Sequence, residues 1–110
     1  MQLAFEIKSL RTICESEVQA NSELGSDVAE ILKHRLADLR AATTINDLVA
    51  GRSLIVDDAN QEQMIINLQH GYRIVFCANH TKNPTTETGE TDWTKVSRIK
   101  ILRIDKSNDN

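Results

Sequence analysis

The stretch Asn67-Leu68-Gln69-His70-Gly71-Tyr72-Arg73-Ile74-Val75-Phe76 holds the chain's most chemically suggestive arrangement: a charged arginine interrupts an apolar run just after a tight turn. A guanidinium among apolar neighbours needs an anion or a carboxylate partner, because an unpaired charge out of water is strongly disfavoured. Arg73 is therefore read either as one half of a salt bridge to an acid on a neighbouring strand or as a phosphate contact. Of the three histidines, His34 and His80 are scattered, and only His70, in the turn, stands near this arginine. The last apolar run adds charge of the same sign. Lys95, Arg98, Lys100, Arg103 and Lys106 face one acid, Asp105, a basic ridge that fits a solvated strand face or a surface for a polyanion.

Other chemistries find no pattern. There is no glycine-rich phosphate loop, no HExxH, no pair of carboxylates on a helix face and no Ser-His-Asp order. Asp57 and Asp58 are adjacent, and adjacent strand residues point to opposite faces, so they read as a turn rather than a metal pair. Cys14 and Cys77 lie 63 positions apart in apolar surroundings, without CxxC or histidine spacing, and read as reduced core residues. No metal and no cofactor are expected.

The elements that must hold these groups fit one domain, 1–110, since 110 residues leave no length for a second core. The formal charge is −3, from 13 basic and 16 acidic residues, but it is unevenly spread. Residues 1–50 carry five basic and eight acidic side chains, and 51–110 carry eight of each. No window offers the roughly 18 to 20 unbroken apolar residues of a membrane span, and MQLAFEIK is not a signal peptide, so a cytoplasmic protein is expected.

Leu3, Phe5 and Ile7 alternate as in a half-buried strand. From Ser9 the spacing turns helical through Leu10, Ile13, Cys14, Val18 and Leu24 to Gly25, and Ser26 is placed to cap a second helix with Val28, Ile31, Leu32, Leu36 and Leu39 as its stripe. Arg35 and Arg40 fall late in that helix, where cations suit the dipole. SLIVD, QMIINLQ, YRIVFCA and VSRIKILRI then read as strands whose separators are too short for crossover helices. The expected fold is α+β: an N-terminal strand, a two-helix hairpin, then an antiparallel four-strand meander, β-α-α-β-β-β-β. Leu3, Phe5, Ile13, Val18, Ile31, Leu32, Leu36, Leu39, Ile66, Val75, Ile101 and Ile104 form its expected core, and the polar loop His80–Trp93 its most mobile part.

Two ordered motifs resemble a known family. His70-Gly71-Tyr72-Arg73-Ile74-Val75-Phe76 is similar to the HPYRLIF-type signature of the HigB-like plasmid-maintenance killer proteins of the RelE toxin superfamily. Gly89-Glu90-Thr91-Asp92-Trp93-Thr94-Lys95-Val96 is similar to their GxLDWSKV segment, and LKHRLADLRAA and the final ILRI extend the likeness over most of the chain. The resemblance implies a RelE-like fold and the toxin of a type II toxin-antitoxin system. Such a toxin is a ribosome-dependent mRNA endonuclease that inhibits translation until a cognate helix-turn-helix antitoxin neutralises it. On this reading Arg73 meets the scissile phosphate, Lys106 supplies a cation or proton near the leaving oxygen, and His70 is a third catalytic candidate. Arg52, Lys100 and Arg98 contact flanking phosphates, and cleavage by the RNA's own 2′-OH needs no metal. The turn DDANQEQM replaces a basic family segment, and IDKSN replaces a family ending that carries histidine. These two departures imply the alternative, a catalytically degenerate module that binds an antitoxin or regulates.

Overall fold

The computed structural model describes residues 1–47, 53–58 and 61–106. The alternating N-terminal residues form strand β1 (Gln2–Phe5), after which three helices follow rather than two: α1 (Lys8–Glu15), α2 (Glu17–Leu24) and α3 (Ser26–Ala41). The extra break falls at Ser16, which leaves helical geometry (φ −120°, ψ 114°) and accepts a hydrogen bond on its hydroxyl from the Gln19 N–H at 3.2 Å. That bond satisfies a donor that an uninterrupted helix would pair with backbone, so Ser16 starts a new helix. The changed axis turns Val18, expected in the core, out to 80% exposure. Gly25, not Ser26, occupies the cap position of α3. With φ +86° it closes α2 through its N–H to the Asn21 carbonyl and opens α3 by accepting from Ala29, a conformation that glycine adopts without a Cβ penalty.

Four more strands complete the sheet: β2 (Ser53–Asp58), β3 (Gln61–Asn67), β4 (Tyr72–Ala78) and β5 (Arg98–Lys106). The order is β1-β5-β4-β3-β2, with β2 to β5 paired antiparallel and β1 lying parallel to β5. The class is α+β, but the sheet is mixed, because the N-terminal strand joins the edge of the meander parallel to β5.

The helices bury one face of this sheet. Leu10, Leu32, Leu36 and Leu39 pack with Met64, Ile66, Ile74, Phe76, Ile99 and Ile101, while Leu3, Phe5, Ile13 and Ile104 border that cluster. Val75 is also fully buried, but alternation puts it on the face away from the helices. The 80–97 connection is structured rather than a plain polar loop. Thr85 and Thr91 bridge, Trp93 meets Phe76 edge-on at 6.1 Å, and Glu62 accepts from Thr91 N–H at 2.6 Å and from the Trp93 indole at 3.2 Å. Its two ends are joined by His80, whose Nε2 accepts from the Ser97 and Arg98 backbone N–H groups at 3.1 and 3.3 Å.

No helix of the described residues is long and apolar enough to cross a membrane. Both cysteines are free, and burial pushes the Cys14 thiol up to about 11.

Leu36→Ala removes a side chain at the centre of the helix-sheet interface and is expected to cost about 2 to 5 kcal/mol. Val18→Ala should stay within about 0.5 kcal/mol. Denaturant melts of the two variants check this, and equal losses would mean that the α2 face is wrongly assigned.

Candidate functional site

Cross-strand register sorts the face away from the helices into three rows. Asn67, Arg73 and Asp105 are partners in one; Ile65, Val75 and Arg103 form the next; Cys77, Lys100 and Ala4 form the third. Rows lie roughly 7 Å apart, two residues along a strand. The middle of this face is dry: Val75, Cys77, Ile65 and Gln63 are all at or below 7% exposure. Cations therefore emerge at its margins, where their heads reach solvent while their stems lie over apolar surface.

A register shift creates this grouping. Phe76 pairs with Ile101 but Val75 pairs with Arg103, so Leu102 is an extra residue in β5. Strict alternation from Lys100 would send 102, 104 and 106 to the face away from the helices. The bulge resets the pattern, sending Arg103 and Asp105 there instead and returning Ile104 to the helix side.

Asp105 holds two guanidinium groups. Its Oδ1 accepts from Arg73 Nε at 2.6 Å and its Oδ2 from Arg103 Nε at 2.8 Å. Burial by itself would raise this carboxyl, but the hydrogen bonds and charges of Arg73 and Arg103 outweigh it and hold Asp105 below the ordinary carboxylate value. Lys100 is held similarly, its ammonium 3.0 Å from Glu6, and that hydrogen bond raises its pKa.

The site residues expected from sequence divide accordingly. Arg73 and Lys100 share this face, and Arg98, paired with Gln2, continues it at the β1 end of β5. Lys106 does not join them: it pairs with Tyr72 and lies 5.7 Å from that ring's centroid, on the opposite face, because the Leu102 bulge inverts its direction. His70 does not join them either. It takes the left-handed conformation (φ 58°, ψ 31°) in the turn before β4 and points its Nε2 to within 3.7 Å of Asp27 at the start of α3. Arg52 lies outside the described residues. In the sequence, Arg103 and Asp105 are visible only as members of the basic ridge. The signal that promotes them is the partner each finds in β4, which depends on the bulge.

Compared with family models, curated proteins and solved structures, the chain matches none.

Because the folded-state pKa of Asp105 is depressed, its contribution to stability is fully present above the unfolded value of about 3.9 and is lost as pH falls through the folded value. Asp105→Asn should therefore be less stable than the parent at neutral pH, and the gap should close as pH falls below about 4. Melts across pH 2–7 measure it; a gap independent of pH would mean that the carboxylate charge is not what holds the two arginines.

Proposed function

We propose that this chain is the toxin of a type II toxin-antitoxin pair, an mRNA-binding endoribonuclease of RelE-like fold. Its RNA surface is the sheet face away from the helices, and its activity is neutralised by a cognate helix-turn-helix antitoxin. The observation that carries this reading is the convergence of Arg73, Arg103 and Lys100 on one face around a buried centre. Arginine forks suit phosphate oxygens, and a guanidinium fixed before the reaction can stabilise a pentavalent phosphate without rearranging. The carboxylates of Asp105 and Glu6 hold these cations on the face, where phosphate oxygens would compete for the same donors.

A second reading has its own support. His70 and Lys106, the proton-transfer candidates, project away from Arg73. A face that grips a phosphate with neither His70 nor Lys106 beside Arg73 fits a module that binds RNA or an antitoxin without cutting. The two readings separate under inducible expression, with and without the neighbouring open reading frame. For the toxin, expression arrests growth, purified protein with ribosomes cleaves mRNA, and Arg73→Ala lowers cleavage by roughly 10²- to 10³-fold, the loss typical of one transition-state donor. An untouched growth curve with retained RNA or antitoxin binding favours the module. Toxicity that survives Arg73→Ala overturns the assignment of this face.

A further inference from the structure

A second basic site lies at the far end of β5. A shallow cleft of about 460 Å³ opens between the end of α3 and the start of β5, lined by Met1, Gln2, Arg40, Thr43, Ser97 and Arg98. Among the described residues no acidic side chain lines it, although the chain as a whole is acidic. Arg40 and Arg98 are exposed, and neither side chain makes an ion pair among the described residues. This sets them apart from Arg73, Arg103 and Lys100, each of which is held by a carboxylate.

The end of a helix ordinarily repels anions, since its last carbonyls carry the negative pole of the dipole. Here that pole is already satisfied. The Met1 ammonium donates to the carbonyls of Leu39 and Arg40 at 3.0 Å each and to that of Ala42. Of the carboxylates flanking this end in sequence, Asp38 accepts from Arg35 at 3.3 Å, and Asp47 turns its Oδ2 to the backbone N–H groups of Thr43 and Thr44. The charged side chains left in the lining of the cleft are therefore Arg40 and Arg98, with Thr43 and Ser97 beside them. The floor is also fixed, because His80 Nε2 holds the Ser97 and Arg98 backbone N–H groups.

Register extends the site. Arg98 pairs with Gln2 and Lys100 with Ala4, so Arg98 shares the face of Lys100, Arg103 and Asp105. From Arg98 to Asp105 the strand covers roughly 20 Å, long enough for several nucleotides of an extended strand. We propose that the Arg40–Arg98 cleft is a phosphate site that takes one backbone phosphate of a single-stranded RNA lying along β5, beyond the cluster around Arg73. The RNA part rests on the function proposed for that face; the phosphate part does not.

Two probes test it, on Arg40→Gln, Arg98→Gln, the double variant, and Lys33→Gln as a control for a cation removed elsewhere on α3. Inorganic phosphate titrated into the labelled parent should shift the Ser97 and Arg98 amide resonances, and the double variant, melting like the parent, should lose that response. A ten-nucleotide single-stranded RNA should bind with a salt dependence whose slope falls by about 0.7 in the double variant, which gives up one phosphate, and stays constant for Lys33→Gln, since a protein that neutralises fewer phosphates displaces fewer counterions. Absence of the phosphate response overturns the site. RNA binding with an unchanged slope overturns the path along β5. If no variant binds RNA while the phosphate response is intact, the cleft stands as a phosphate site and the RNA reading of the sheet face falls.

Discussion

One extra residue in β5 decides which chemistry the sheet displays. Without the bulge at Leu102, Arg103 and Asp105 would face the helices, where an apolar cluster could not solvate them, and Ile104 would face water. The bulge lets a strand that begins as alternating cation and isoleucine keep Ile99, Ile101 and Ile104 inward. It also brings Asp105 opposite Arg73 and separates Lys106 from both. Local geometry thus groups residues that spacing alone would scatter, the role bulges commonly have beside functional surfaces.

The neighbouring strand sets the second constraint. Ile74, Val75, Phe76 and Cys77 in β4 are buried on both faces, at no more than 1% exposure. A charge in the middle of such a strand would leave an uncompensated ion in the interior, whereas at its first turn a long guanidinium stem can run to the rim. Arg73 occupies that position, with its side chain 29% exposed. Placing a second arginine beside it would be unfavourable without a shared counterion. Asp105, between the two, turns a repulsive pair into a charge-assisted bridge that holds both side chains.

How far the sequence reveals this varies by element. The α3 stripe and the alternation in β1 are legible because each depends on local period alone. The break at Ser16 is not, although Ser-x-x-Gln is an N-cap signature, because Leu10, Ile13, Cys14 and Val18 continue a helical spacing straight through it. The parallel pairing of β1 with β5 joins residues nearly a hundred positions apart, and no local pattern encodes that choice. At the site, Arg73 stands out because its type contradicts its neighbours. Lys106 escapes such reasoning because a period of two carries a side chain's direction forward only as far as the first bulge. Arg40 suits the helix dipole by its position in the sequence, yet the Met1 ammonium already serves the end of that helix.

An overall charge of −3 does not weigh against a surface for a polyanion. At physiological ionic strength exposed charges are screened over about 8 Å, so a phosphate at β5 responds to the groups of its own row far more than to the acidic helices. Among the described residues, the acids on the basic face are moreover committed: Asp105 to two arginines and Glu6 to Lys100. What the acidic helical half alters is the long-range field, which slows the approach of a polyanion at low salt and fades as salt rises. Local attraction at β5 weakens with salt at the same time. The two effects oppose each other, so the salt dependence of association on this chain should be shallower than its arginines alone would give, and differences between variants are the cleaner measure of what each arginine adds.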